Sequence, residues 1–288
     1  MTVSRLSRLL LGLIGAEIQA SRTPAMHERE ARECGLPCLY QLIDLARLGL
    51  GAADLPELLL AAERMGFAGL NITHPCKQAV LPCLTEVSED AEALGAVNTV
   101  VLRDGRRSGY NTDWPAFVRS FRENLPGAGV ERVVQLGAGG AGAATAYGIL
   151  SLGAAHLSIL DVDEERSIAL SARLAGVFGV DRVRAADDAA AALERADGLI
   201  QATPVGMFGH EGLPLRADLL RPSLWVAEVV YFPLETELLR EARRVGCRTL
   251  DGGWMAVYQA VEAFRIFTGI EPDADRIRRH FVSMVERG

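Results

Sequence analysis

Ten residues near the middle of the chain constrain its fold more than any other segment. Val133-Val-Gln-Leu-Gly137-Ala138-Gly139-Gly140-Ala141-Gly142 sets a GxGxxG loop directly after an apolar run and directly before an Ala-rich stretch reaching Leu152. Each glycine has a physical reading. Gly137 permits a tight turn, Gly139 lets the backbone approach a pyrophosphate, and Gly142 lets a helix lie close to a sheet with its N-terminus facing the anion. An acidic residue closing the next strand completes the pattern: Asp161, in Ser158-Ile-Leu-Asp-Val-Asp163. A carboxylate at that place accepts the adenosine ribose hydroxyls of NAD and repels the 2′-phosphate of NADP, so NAD is expected over NADP. Asp163 adds a second like charge nearby. Arg166 is the candidate cation for a 2′-phosphate, but its spacing favours an i,i+3 pairing with Asp163 on the helix.

Around this loop strand and helix alternate, which predicts an α/β protein. Strands at Arg132–Leu136, His156–Leu160, Val183–Ala185, Gly198–Ala202, Trp225–Val230 and Arg248–Leu250 interleave with helices at Glu164–Phe178, Asp188–Arg195 and Thr236–Val245. That is a doubly wound parallel sheet. Upstream, Leu9–Ile14, Leu39–Leu45 and Phe67–Thr73 read as strands, and Val97–Tyr110 as a hairpin turned at Asp104-Gly105. Thr23 is expected as an N-cap with Pro24 first in the helix, Asp54 as a cap with Glu57 three residues on, Ser88–Leu94 as a short acidic helix, and Asp113 as the cap of a helix opening at Trp114. Two helices, Trp254–Thr268 and Asp273–Glu286, follow the last strand. The pattern implies two domains: residues 1–113 completed by 253–288, and residues 114–252.

Composition narrows the function. Of 288 residues 49% are hydrophobic and 23% charged, enough apolar mass for a sizeable core. A net charge of −7 without a basic stripe argues against a nucleic-acid partner. Apolar runs such as Leu9–Ile14 and Leu157–Leu160 are too short to span a membrane, and the N-terminus shows neither an h-region nor a cleavage site. Five cysteines (Cys34, Cys38, Cys76, Cys83 and Cys247) form no CxxC pair or zinc spacing, which suits a reducing cytoplasm and no structural metal. Among 30 basic residues only one, Lys77, is lysine. A compact ammonium whose pKa can move is something arginine cannot supply.

Lys77 stands in Leu70-Asn-Ile-Thr73-His-Pro-Cys-Lys77-Gln, where a strand gives way to a helix, the place where ligands bind in open α/β sheets. Gly95-Ala-Val-Asn98-Thr and Gly109-Tyr-Asn-Thr-Asp113 add an amide and a carboxylate at other element ends. Taken with Ser21-Arg-Thr23-Pro-Ala-Met-His, Ala202-Thr203-Pro204-Val-Gly-Met207, Val229-Val-Tyr231-Phe-Pro-Leu-Glu-Thr and Asp251-Gly-Gly-Trp-Met255-Ala-Val-Tyr-Gln259, the chain resembles the shikimate dehydrogenases, and among them the quinate/shikimate dehydrogenase branch, from residue 9 to the end.

The resemblance implies an N-terminal α/β substrate domain and a Rossmann-type cofactor domain, with the C-terminal helices returning to the first. It also implies hydride transfer between NAD and a ring hydroxyl of quinate or shikimate. It assigns Lys77 and Asp113 as the catalytic pair. Ser21, Thr23, Thr73, Asn98, Tyr231 and Gln259 become substrate contacts. Gly137 to Gly142, Asp161, Arg166, Thr203, Pro204, Val229, Gly252 and Met255 become cofactor contacts, and no metal is implied. A small-molecule substrate, a cytoplasmic setting and a monomer or homodimer go with it. Four positions depart from the family's pattern: Asp161 stands where NADP-dependent members carry the Asn-Arg-Thr/Ser run, Thr23 replaces a serine, and Cys76 and Trp254 replace an aromatic and a small residue. The competing readings are an NADP-dependent biosynthetic shikimate dehydrogenase, a dehydrogenase of an amino-substituted analogue, and a non-catalytic regulator. The last would be expected to lose Lys77 or Asp113, and both are present.

Overall fold

The computed structural model describes residues 8–285. The described residues up to Thr112, with those from Gln259 onward, form one compact unit, and Asp113–Tyr258 form a second. Glu286, the last residue of the helix expected from Asp273, lies outside the described residues.

The first unit begins with β1 (Leu9–Gly15), α1 (Thr23–Glu33), β2 (Cys38–Asp44), α2 (Leu45–Leu48), α3 (Leu55–Met65), β3 (Gly69–Ile72) and α4 (Cys76–Ala79). It continues through β4 (Glu86–Val87), α5 (Glu89–Leu94), β5 (Thr99–Arg103) and β6 (Arg106–Tyr110). The sheet order is β2-β1-β3-β5-β6-β4. Strand β1 pairs in parallel with β2 and β3, and its near-total burial explains its unbroken apolar run, since both faces of a parallel strand are covered. The β5–β6 hairpin turns at Asp104 (φ 52°) and Gly105 (φ 72°), the two positive angles a tight hairpin turn demands. The edge strand β2 is blunted by the chain itself. Glu28 accepts the Tyr40 N–H (2.9 Å), and the Gln41 side chain donates to the Leu42 carbonyl (2.9 Å).

The second unit runs through α6 (Asp113–Asn124), β7 (Arg132–Leu136), α7 (Gly140–Ser151), β8 (His156–Leu160), α8 (Glu164–Phe178), β9 (Val183–Ala185), α9 (Ala189–Leu193) and β10 (Gly198–Gln201). Then come β11 (Trp225–Glu228), α10 (Glu237–Val245), β12 (Arg248–Leu250) and α11 (Gly252–Thr268), which runs on into the first unit, where α12 (Ala274–Val285) closes the chain. Its all-parallel sheet has the order β12-β11-β10-β7-β8-β9. The winding reverses between β7 and β10, and an open sheet of this kind binds ligands outside the carboxyl ends of its strands at that switch point.

In the first unit, Phe267 of α11 packs with Leu9, Leu11 and Leu13 on one face of the sheet, while Leu55, Leu59, Leu70 and Val97 fill the other. Arg276 of α12 pairs with Glu30 of α1 (2.6 Å), a carboxylate only 1% exposed.

Several local expectations are corrected. Thr23 is already helical, with Arg22 at the cap position and no side-chain cap; the Thr23 N–H turns back to Ser21 Oγ (3.3 Å). Asp54 does not cap α3; its carboxylate reaches back to the Gly51 N–H (2.8 Å), closing a 3₁₀ turn. Leu45 leaves the second strand to open α2, because the Asp44 carboxylate accepts the Ala46 N–H and starts a helical turn there. Asp113 is the first helical residue of α6. The strands expected to end at Thr73, Ala202 and Val230 stop one or two residues earlier, where the chain turns into loops. The short elements α2 and β4 had no periodicity long enough to predict them.

Candidate functional site

At the switch point of the second unit the loop after β7 is built by exclusion. Gly137 has φ +100°, and a Cβ there would lie 2.6 Å from the Ala202 carbonyl oxygen. A Cβ on Gly142 would come within 2.2 Å of the Gly137 oxygen, so α7 can sit this close to the strand only without one. Gly139 is different: a Cβ there would meet nothing within 4 Å, so its missing side chain leaves open space at the N-cap of α7, where no side chain caps the helix. Such a helix start can receive a phosphate.

Two buried glutamines shape the loops on either side of the switch point. Gln135 of β7 donates to the carbonyls of Gly137 (2.9 Å) and Gly142 (2.8 Å) and accepts the Thr145 hydroxyl (2.9 Å). Gln201 of β10 accepts the Thr203 N–H (3.0 Å) and donates to the Val205 carbonyl (2.7 Å), folding the Thr203-Pro204 turn. Sequence reasoning missed both. The available signal was a long amide inside an apolar strand one or two residues before a loop.

Asp161 follows β8 and is half-buried. Its Oδ2 accepts the N–H of Ala138 (2.7 Å) and its Oδ1 that of Asp163 (3.0 Å), so the carboxylate is tied to the glycine loop itself. Arg166 pairs with Asp163 (3.1 Å), the i,i+3 partner that the spacing favoured. Beyond β11, a Cβ on Gly252 would fall 2.4 Å from the Val229 oxygen, so Gly252 lets the start of α11 lie against Val229, with Met255 buried one turn on. Glu228, 3% exposed, accepts the Val230 N–H and the Thr236 hydroxyl (both 3.0 Å), and burial raises its pKa to about 7.

The first unit gathers the polar residues of three loops. Without a side chain on Gly15, Thr73 can approach the end of β1; a Cβ there would stand 2.3 Å from Thr73 Cγ2. Lys77 lies on α4, and its carbonyl accepts the Val97 N–H (2.9 Å), which places it beside Asn98 in the fold. The Asn98 amide grips Thr112: Oδ1 accepts the Thr112 N–H (2.8 Å) and Nδ2 donates to its hydroxyl (2.9 Å). Behind it, the Tyr40 hydroxyl donates to Asn71 Oδ1 (2.7 Å), and Asn71 Nδ2 donates to Thr99 Oγ1 (3.1 Å). Ser21 lies in the loop between β1 and α1, Thr23 opens α1, and Gln259 is half-buried on α11. Asp113 (1% exposed) and Tyr231 (41% exposed) belong to the second unit.

Among the described residues no group of three or more His, Cys, Asp or Glu side chains is placed to hold a metal ion. No helix among them is long and apolar enough to cross a membrane. The five cysteines are free thiols.

Known proteins match this chain along nearly its whole length. Residues 13–100 match the shikimate dehydrogenase substrate binding domain, and residues 252–280 the shikimate 5'-dehydrogenase C-terminal domain. A shikimate dehydrogenase (NADP(+)) of Streptomyces avermitilis is 57% identical over 93% of this chain and 93% of its own. A quinate/shikimate dehydrogenase (NAD(+)) of Corynebacterium efficiens is 50% identical over 96% of this chain and 98% of its own. Among solved structures, the quinate dehydrogenase of Corynebacterium glutamicum in complex with NAD superposes with a TM-score of 0.90 at 49% identity, covering 96% of this chain and 99% of that one. With a GxGxxG cradle at the switch point of one unit and a hydroxyl- and amide-lined set of loops in the other, the chain belongs to the shikimate dehydrogenase family.

Proposed function

We propose that this protein oxidises a ring secondary alcohol of quinate, shikimate or both to the ketone, with NAD preferred over NADP. Relatives named for NADP(+) reach 57% identity and those named for NAD(+) 50%, so the NAD preference rests on this chain's own residues and not on likeness. The observation that carries it is Asp161. Its carboxylate stands beside the glycine loop, where the adenosine ribose is held in folds of this type, and a 2′-phosphate would bring about −1.5 to −2 charges against it. Arg166, which could offset that repulsion, is engaged by Asp163.

The residues present fit a dinucleotide: the space at Gly139, the start of α7, Asp161, the Thr203-Pro204 turn, and the Val229, Gly252 and Met255 cluster. When bound, the dinucleotide supplies the hydride acceptor. The rest falls to the chain. An alcohol losing hydride must also lose its hydroxyl proton, so the site has to stabilise a developing alkoxide and take that proton. By the family resemblance Lys77 and Asp113 do this, with Lys77 Nζ donating to the alkoxide oxygen and the Asp113 carboxylate accepting the relayed proton. Asn98 holds Thr112, and through it the backbone leading into Asp113. Ser21, Thr23, Thr73, Asn98, Tyr231 and Gln259 supply hydrogen bonds for ring hydroxyls and a carboxylate. A site of such groups rejects analogues lacking one hydroxyl, because its own polar atoms are then left unpaired. The reading carries with it a cytoplasmic enzyme acting as monomer or homodimer on a small molecule.

Steady-state kinetics with quinate and shikimate against NAD and NADP test the proposal. NAD is expected to give the higher kcat/KM, and Asp161→Ala to weaken NAD binding and narrow the difference. An equal or higher kcat/KM with NADP in the native enzyme refutes the cofactor assignment, and inactivity on both substrates refutes the reaction.

A further inference from the structure

The loop between β1 and α1 carries Ser21 and leads into Thr23, the first residue of α1, yet it has no secondary structure of its own to hold it. What holds it is one carboxylate on another strand. Asp44, at the end of β2 and 4% exposed, accepts the Glu17 N–H (3.0 Å) and the Ala46 N–H (3.2 Å) at Oδ1, and the Ile18 N–H (3.3 Å) and Gln19 Nε2 (2.8 Å) at Oδ2. Four donors converge on one buried side chain. Glu17, the first residue gripped, has φ +57°, a left-handed conformation that a residue with a Cβ adopts only when its surroundings hold it there.

The grip passes along the backbone to the substrate residues. The Ile18 carbonyl accepts the Ser21 N–H (3.0 Å), and Ser21 Oγ in turn accepts the Thr23 N–H (3.3 Å) at the start of α1. On the other side the Ala16 N–H donates to the His74 carbonyl (2.9 Å), next to Thr73. We infer that Asp44 is a positioning residue for substrate binding, setting the places of the Ser21 and Thr23 hydroxyls without touching substrate itself. The inference rests on the proposed reading that Ser21 and Thr23 hold the substrate. An ionised carboxylate suits this task because it accepts from every direction. An amide must turn two N–H donors toward groups that are themselves donors. The hydrogen bonds, that of Gln19 foremost, hold its pKa below the usual aspartate value, so the charge persists across the working range.

The test compares Asp44→Asn and Asp44→Ala with the native enzyme. KM for quinate or shikimate is expected to rise about 10-fold or more in Asp44→Ala, the scale of losing hydrogen bonds to a charged acceptor. Asp44→Asn should lie between, with one acceptor retained. KM for the dinucleotide should stay within about twofold, because its residues lie in the other unit. A residue that only supports folding would lower the melting temperature and the active fraction, and so kcat, while leaving substrate KM alone. Native substrate KM in both variants, or a loss confined to kcat and melting temperature, overturns the inference. Should neither variant fold, amide exchange in the native enzyme decides. The Glu17, Ile18 and Ser21 amides are expected to be protected without substrate, and free exchange at Glu17 and Ile18 overturns the grip. That measurement needs no turnover, so it fails or succeeds separately from the functional reading.

Discussion

His27 lies in α1, one turn beyond Thr23, and is 1% exposed. Its ring packs against Tyr40, Phe264 and Phe267 at centroid distances of 5.1, 6.1 and 6.0 Å, and neither ring nitrogen has a hydrogen-bond partner among the described residues. Burial drives its pKa down from 6.5 to about 3, so the folded chain keeps it neutral where the unfolded chain would take up a proton. Stability linked to this group is therefore fully present above pH 6.5 and is lost as pH falls from there toward 3. The slope approaches about 1.4 kcal/mol per pH unit, which makes the loss roughly 2 kcal/mol by pH 5. His27→Met removes the titration and also the two unsatisfied nitrogens, whose burial costs on the order of 1–3 kcal/mol, and its unbranched side chain adapts to an aromatic pocket. Urea unfolding of native and variant protein, followed by far-UV circular dichroism at pH 7.5, 6 and 5, reads the difference. The variant should be the more stable at pH 7.5, with its advantage growing by about 2 kcal/mol at pH 5. Because the remaining histidines are common to both proteins, a stability difference that does not change with pH refutes the reasoning.

Glu228 leans the other way. Its pKa is raised from 4.5 to about 7 by burial, so its contribution is fully present below pH 4.5 and is lost as pH rises through 7. Glu228→Gln, which can still accept from Val230 and donate to Thr236, should flatten the fall in melting temperature between pH 5 and 7; an unchanged slope counts against it. Lys77→Arg keeps the charge but replaces a compact ammonium with a planar fork that does not deprotonate, and kcat should fall by about 100-fold or more. Asp113→Asn should lower kcat as well, and the double variant should lose far less than the product of the two; native kcat in Lys77→Arg at saturating substrate would leave Lys77 a binding residue only. Gly139→Ala should fold with a native melting temperature yet bind the dinucleotide more weakly, because its Cβ meets open space in the protein alone, whereas Gly142→Ala should lower both, its Cβ falling 2.2 Å from a carbonyl oxygen. Calorimetric titration with NAD beside thermal melts separates the two, and identical behaviour would contradict the assignment of Gly139.

The sequence by itself determined the elements whose signal is local. The strands Arg132–Leu136 and His156–Leu160 and the helix Glu164–Phe178 occupy the ranges predicted for them, because a run buried on both faces and a long amphipathic period are written in consecutive residues. The glycine loop was legible because its spacing is written in consecutive residues, although the backbone that leaves no room for a Cβ at Gly137 is the Ala202 carbonyl of a distant strand end. Cap roles at Thr23 and Asp54 were misread: a side chain there has several backbone N–H groups within reach, and the chain's path, not the residue type, selects one. Apart from Gln135 and Gln201, whose partners lie close by in sequence, the residues found only in the structure are polar side chains whose partners lie far along the chain. Asp44 reaches 26 and 27 residues back to the Ile18 and Glu17 amides, and Tyr40 reaches 31 residues on to Asn71. A buried carboxylate or hydroxyl needs partners but does not specify where in the sequence they lie. Only tertiary packing, which brings strand ends to one edge of the sheet, decides which donors meet which acceptors.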